Sequence, residues 1–329
     1  MNPVRNIIPK VKTIIKEFLG LNYPYVYVQR RLSSFAKVVS PISNKEVYNK
    51  EVDIIMPIYN RLAETKMAIE YLFKNANIKF KLILVDNNSD NKTQEYLKNL
   101  SHKNIKVIFL KENLGASIAR ESGLKESQNE FVAFVDNDIL IMPNYFENLL
   151  TTIQTDNKIA GVQSKVVLPN LKIQINTPTF MIKDQDIVFT DKDIDKKFDD
   201  KSTFESKTCN YIPIGATLWR REVFNRFSFD EGMNTAFEDN DFAYSVYKGG
   251  YIFRNCPKAI ALHINSEFSP KTIQDNSYMA GRYSNDKLLK SLKIFYKKHQ
   301  LIFYFKTKEG FAKYLGFSNP EEYENSLKA

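Results

Sequence analysis

The stretch Phe131-Val132-Ala133-Phe134-Val135-Asp136-Asn137-Asp138 is an apolar run that stops abruptly at three polar residues, two of them acidic. Three earlier runs behave the same way. Val52–Met56 leads into Pro57-Ile58-Tyr59-Asn60-Arg61, Leu82–Val85 into Asp86-Asn87-Asn88-Ser89-Asp90, and Val107–Leu110 into Glu112-Asn113-Leu114-Gly115. Residues 62–76, 91–100, 116–127 and 144–155 carry helical spacing with few breakers. Short strands alternating with helices predict an α/β fold, a parallel sheet with helices on its faces. In open sheets of this kind, ligands bind outside the carboxyl ends of the strands. The four polar strand ends therefore mark where chemistry is expected, although Asp90, just before a helix, reads as an N-cap.

The rest of the chain sets the bounds. With 329 residues, 43% hydrophobic and 26% charged, it is long enough for one large α/β domain with extensions and is not a disordered chain. Cys209 and Cys256 stand far apart, which supports neither a disulfide framework nor a cysteine zinc site. No apolar run approaches the ~18 residues that span a bilayer. Lysines interrupt each candidate apolar core near the N-terminus, so no signal peptide is expected and the expected location is cytoplasmic, at most on the inner face of the membrane.

The net charge of +9 is unevenly placed. Residues 1–50 hold nine basic against two acidic residues and residues 281–329 ten against five, which leaves 51–280 at −3. Both flanks have amphipathic spacing: Ile7, Ile8, Val11, Ile14, Ile15, Phe18 and Leu19 in the first, and Leu288, Leu289, Leu292, Phe295 and Tyr296 in the last. A basic amphipathic helix can lie on a membrane or pack on its own protein, the commoner fate. The expected organisation is a basic helical extension over 1–50, a catalytic domain over 51–270 with halves 51–140 and 141–270, and a basic aromatic helical extension over 271–329.

Asp136-Asn137-Asp138 is the sharpest motif. Two carboxylates flanking one residue at a strand end can direct oxygens to a hard divalent cation. Triplets of this form also occur by chance; Asp184-Gln185-Asp186, Asp191-Lys192-Asp193, Asp193-Ile194-Asp195 and Asp239-Asn240-Asp241 are others. Those between 184 and 195 lie in a highly charged stretch, 183–208, that reads as a solvated loop or insertion. Beyond it come Gly215-Ala216-Thr217-Leu218-Trp219, Phe237-Glu238-Asp239, Gly249-Gly250-Tyr251 and Leu262-His263.

In this order the motifs resemble the family 2 glycosyltransferases of the GT-A fold, over about residues 51–268, with closest likeness to bacterial rhamnosyl- and galactofuranosyl-type enzymes. The resemblance implies a mostly parallel, Rossmann-like sheet and a nucleotide-diphosphate sugar donor, UDP first, with dTDP and GDP as alternatives. It implies donor contacts from Pro57, Tyr59, Asn60, Arg61, Asp86, Asn113, Gly115, Arg120, Asp136 and Asn137. Glu121 stands where that segment usually has Asn. It further implies a divalent cation, Mn²⁺ or Mg²⁺, on Asp136, Asp138 and His263. The acceptor side falls to Gly215, Ala216 and Trp219, with Asp239 as base and Glu238 beside it. His263 reads equally as a core histidine, and Glu238-Asp239 equally as acids favouring a helix N-terminus.

The chemistry suits these residue types. A cation stabilises a leaving diphosphate, and a base on the opposite face of the sugar activates the acceptor hydroxyl, which gives inversion. The expected acceptor is a lipid-linked or surface glycan. Three other readings compete: a nucleotidyltransferase, which would carry a Gly-rich basic loop where Pro57–Arg61 stands; a silent nucleotide-sugar-binding module, against which the intact Asp136, Asp138 and Asp239 speak; and transfer to protein or nucleic acid, for which only the basic flanks argue.

Overall fold

The computed structural model describes residues 24–39, 49–233, 236–264 and 284–329. The spacing noted over residues 7–19 lies outside them. Helix α1 spans Pro24–Val39. Strands β1 (Glu51–Ile58), β2 (Lys79–Asp86), β3 (Ile105–Phe109) and β4 (Phe131–Val135) alternate with helices α2 (Leu62–Asn75), α3 (Asn91–Lys98) and α4 (Gly115–Leu124). They form the parallel half of the central sheet, in spatial order β4-β1-β2-β3. The register pairs Ile58 with Asp86 and Asp86 with Phe109, so the polar strand ends emerge side by side.

The other half is mixed, which corrects the expectation of a mostly parallel sheet. After β5 (Ile139–Ile141) and helix α5 (Tyr145–Ile153) come β6 (Ile159–Val167), β7 (Ile173–Ile175), β8 (Pro178–Lys183), β9 (Asp186–Asp191), β10 (Thr208–Cys209) and β11 (Ala216–Arg220). Helix α6 (Glu238–Lys248) and strand β12 (Ile252–His263) follow. Strand β11 runs antiparallel to both β4 and β6, while β12 is parallel to β6 and antiparallel to β5. Strand β11 thereby carries Gly215 to the end of β4, and the β5–β12 pair carries His263 beside Ile139.

Apolar layers cover both faces of the sheet. One joins Leu32 and Ala36 of α1, Met67 and Leu72 of α2 and Leu149 of α5 to β1 and β4. The other joins Ala119 of α4 and Phe242 and Val246 of α6 to Ile55, Phe134 and Trp219. Helix α4 lies so close to β1 that a Cβ on Gly123 would stand 2.5 Å from Ile55. A third core unites Phe180 and Phe189 of β8 and β9 with α7 (Asn285–His299), β13 (Ile302–Phe305), α8 (Lys308–Tyr314) and α9 (Pro320–Lys328). Leu288, Leu292 and Phe295, the apolar face of α7, are buried in it, so this helix packs on the protein. Strand β13 pairs in parallel with β9.

The charged stretch 183–208 is not the solvated loop its composition suggests. It holds β9, and Asp191 and Asp193 are buried. Asp191 accepts from the backbone N–H groups of Asn176 (2.7 Å) and Thr177 (2.9 Å), and Asp193 from the Asn176 amide (2.7 Å) and Thr177 hydroxyl (2.6 Å). Satisfied carboxylates replace apolar periodicity as the ordering force there.

Lys165 of β6 has no exposed surface. Its ammonium donates to Thr203 Oγ1 (2.8 Å) and the Phe198 carbonyl (3.2 Å) and sits 3.5 Å from the centre of the Phe204 ring. Burial outweighs the attraction of Asp193, Asp200 and Asp199 and lowers its pKa to about 7. Between that value and the ~10.4 of an unfolded lysine, the unfolded chain binds a proton that the folded chain does not. Stability contributed at this site is therefore lost as pH falls from about 10 to 7, at up to ~1.4 kcal/mol per pH unit. Urea midpoints at pH 7, 8 and 9 should rise for the wild type relative to Lys165→Met. Parallel curves would overturn the assignment.

Candidate active site

The site lies along the carboxyl ends of β1, β2 and β4, and its floor is built from asparagines. Asn60 receives the Asp90 N–H on Oδ1 (2.8 Å) while its own N–H donates to Ser89 Oγ (2.8 Å). Asn113 Oδ1 accepts from Asn87 Nδ2 (2.8 Å) and the Gly115 N–H (3.1 Å), and Asn87 Oδ1 accepts the Leu114 N–H (2.9 Å). Asn137 donates to Thr65 Oγ1 (2.9 Å). Asn60, Asn113 and Asn137 thus lock neighbouring loops in place, with Asn87 as a further partner that the resemblance does not imply. Asp86 is buried, with the Ser89 N–H 3.3 Å from each carboxylate oxygen, and burial raises its pKa. Pro57 and Tyr59 are half-buried beside them, and Asp90 caps α3 through the Thr93 N–H, as its place predicts.

Two arginines organise the acidic residues. Arg120 of α4, only 5% exposed, reaches Asp136 Oδ1 with Nη2 and Asp239 Oδ1 with Nη1, both at 3.2 Å, and lies 3.6 Å from Glu238. Burial opposes its charge, but the three carboxylates overcome this and drive its pKa up. The other oxygen of Asp239 accepts the Ile214 N–H at 3.0 Å. Asp136 and Asp239, more than a hundred residues apart, thus flank one guanidinium. The half-enclosed position of Asp136 raises its pKa by desolvation, reinforced by Asp138 and Asp239 and opposed by Arg120.

Arg61 holds Asp138, with Nη1 donating to Oδ2 at 2.6 Å. His263 Nε2 stands 3.2 Å from the same oxygen, and His263 Nδ1 is 2.7 Å from Gln174 Oε1. Burial disfavours the Asp138 charge, but His263 and Arg61 overcome it and hold its pKa at about 2. Since Gln174 Oε1 can only accept, Nδ1 carries a proton; burial lowers the His263 pKa, but Asp138 overcomes this and raises it, which favours a proton also on Nε2, where it faces the carboxylate. That contact requires positive charge between them, a proton or a cation. The oxygen and nitrogen donors of Asp136, Asp138 and His263, with Gln174 fixing the imidazole, suit a divalent cation in kind. Among the described residues, however, no three His, Cys, Asp or Glu groups already converge as a cage.

On the far side, Gly215 accepts the Asp136 N–H on its carbonyl (2.9 Å), and a Cβ there would come within 2.3 Å of Asp136 Oδ2. Gly215→Ala should therefore displace the Asp136 carboxylate. An ångström-scale misplacement of that kind costs about ten- to a hundredfold in turnover, read as kcat with stability unchanged by thermal melting. Full activity would show that Asp136 is not needed where it stands. Ala216 is buried at the start of β11. Trp219 is corrected: it has no exposed surface, packs on Phe224, Phe242 and Phe253, and donates its indole N–H to Thr217 (2.8 Å), so it faces the core and no acceptor.

Two further residues hold the turn that carries Glu238-Asp239. Phe237 precedes it with a left-handed backbone (φ 66°), and its ring packs on Phe303, Phe305 and Phe311. Asp241, buried, is bound by Lys298 and by His299 Nε2 at 2.7 Å. The sequence hint was the second acid of the triplet Asp239-Asn240-Asp241, whose partners lie in α7.

A family model described as "Glycosyl transferase family 2" matches residues 53–224, just over half of the chain. The chain belongs to glycosyl transferase family 2. Among its relatives, the minor teichoic acid biosynthesis protein GgaB of Bacillus subtilis (strain 168) is 37% identical over 112 residues, covering 32% of this chain and 12% of GgaB. The glycosyltransferase EpsJ of the same organism is 23% identical over 273 residues and covers 76% of both chains. The chain spans no more than about a fifth of GgaB or of two Rickettsia glycosyltransferases that it also matches (12%, 16% and 22%). In structure, GalNAc-T7, crystallised with UDP, GalNAc and Mn²⁺, superposes with a TM-score of 0.55 over 88% of this chain and 57% of that one, at 13% identity. This family 2 chain shares the GT-A fold with it.

Proposed function

We propose that this family 2 enzyme transfers a sugar, with inversion, from a nucleotide-diphosphate donor to a hydroxyl of a glycan acceptor, and that Asp239 is the base. The observation that carries the reading is Arg120, which brings the acid at the end of β4 and the acid at the start of α6 to opposite sides of one buried guanidinium. The acceptor O–H gives its proton to Asp239, its oxygen bonds to the anomeric carbon, and the bond from that carbon to the diphosphate breaks. Arg120 and the Ile214 N–H fix the Asp239 carboxylate, so little reorganisation is needed as the proton arrives. Asp136, Asp138 and His263 would hold a divalent cation, Mn²⁺ or Mg²⁺, which when bound offsets the charge of the leaving diphosphate.

UDP is the nucleotide favoured by the likeness to the UDP-bound GalNAc-T7 structure. The motifs of the rhamnosyl and galactofuranosyl subgroup make dTDP- and UDP-linked sugars of those kinds the next donors to try. GgaB, named for teichoic acid biosynthesis, supports a surface glycopolymer as acceptor, made on the cytoplasmic side. Among the described residues no helix is long and apolar enough to cross a membrane. The test is a panel of UDP-, dTDP- and GDP-sugars with Mn²⁺, Mg²⁺ or EDTA, run with wild type and Asp138→Ala. One donor should be bound and slowly hydrolysed with metal only, and the variant should lose this. Binding of a donor without turnover would favour the silent nucleotide-sugar-binding module, and silence toward every donor would overturn the transferase reading.

A further inference from the structure

Arg61 sits where the polypeptide makes an uncommon turn. Asn60 (φ 56°) and Arg61 (φ 55°) both adopt the left-handed conformation between β1 and α2. A left-handed Asn is unremarkable, but a left-handed Arg persists only where its surroundings demand it. The result is a guanidinium folded back over the site. Its Nη1 binds Asp138 Oδ2 at 2.6 Å, while Nη2 binds the Ile264 carbonyl at 2.9 Å and Glu64 Oε1 at 3.3 Å. The oxygen it takes is the one that faces His263 Nε2. A fixed positive charge therefore occupies the carboxylate that a divalent cation would need, next to the imidazole that would complete its coordination.

We propose that Arg61 is the resident counter-cation of the Asp138–His263 pair, and that a divalent cation enters only by displacing the guanidinium. This rests on the metal reading given above. The exchange follows from electrostatics: a cation cannot share the Asp138 oxygen with a guanidinium at 2.6 Å without strong like-charge repulsion at low effective dielectric. Metal affinity is thereby held below what the ligands alone would give, while the acids stay neutralised and the turn stays folded in its absence. Glu64 and the Ile264 carbonyl remain as partners for the released side chain.

The experiment titrates the full-length chain with Mn²⁺ alone, without donor, and follows free Mn²⁺ by electron paramagnetic resonance. Arg61→Gln should bind Mn²⁺ at least tenfold more tightly than wild type, and Asp138→Asn should bind it more weakly. Arg61→Lys, which keeps the charge on a shorter and less directional side chain, should fall between wild type and Arg61→Gln and guards against misfolding of the neutral variant. Circular dichroism verifies the fold of each. If wild type binds Mn²⁺ and both Arg61 variants bind it no more tightly, the exchange is overturned and the metal reading stands. If no folded protein in the series binds Mn²⁺, both fall together.

Discussion

Asp239→Asn is expected to lower kcat by about 10²- to 10⁴-fold, the usual contribution of a general base. Donor KM should stay within a few-fold. The substitution preserves shape, and the remaining amide oxygen can still accept from Arg120 or from the Ile214 N–H, as the carboxylate does. What it removes is the group proposed to take the acceptor proton. The split between kcat and KM separates this from mere disturbance of the pocket, which would raise both the donor KM and the Mn²⁺ dissociation constant. Retention of kcat within threefold would place the base elsewhere. Asp241→Asn makes a useful comparison: Asp241 faces Lys298 and His299, so its loss should appear first in the melting temperature.

The parallel half of the sheet was legible because its central strands are buried, which leaves β1, β2 and β4 as near-continuous apolar runs. Their carboxyl ends coincide through the parallel register, and so the polar residues after each run converge. The mixed half was less legible. Strand β6 is buried at each of its nine positions yet includes Gln163, Ser164 and Lys165, so burial there does not follow hydropathy. The motif places Trp219 on the acceptor side with its neighbours, but Gly215 meets Asp136 whereas Trp219 points into an aromatic cluster. The distinction depends on which face of β11 is covered, and α6, which supplies Phe242, lies later in the chain. Arg61 and Arg120 stand within the motifs, but their pairings with Asp138 and Asp239 could not be read there, because these join segments 77 and 119 residues apart.

Arg120→Met tests that convergence most severely. The guanidinium is buried, and its loss removes the positive charge that Asp136, Glu238 and Asp239 share. Breaking a buried ion pair by removing one partner costs about 3–5 kcal/mol, and a methionine of similar length fills the space without relieving the repulsion. The urea midpoint should fall accordingly, with an unchanged m-value showing that the native fold is still the one that melts. Turnover should be lost as well, since Asp239 would no longer be fixed. The companion variant Arg120→Met/Glu238→Gln divides the two effects. Removing one of three like charges should restore part of the stability, because the pair is coupled through the same guanidinium. It should restore none of the turnover, because Asp239 still lacks the Arg120 donor and keeps only the Ile214 N–H. Recovery of both together would mean that Arg120 serves only to neutralise charge; recovery of stability alone would make it the residue that positions the base.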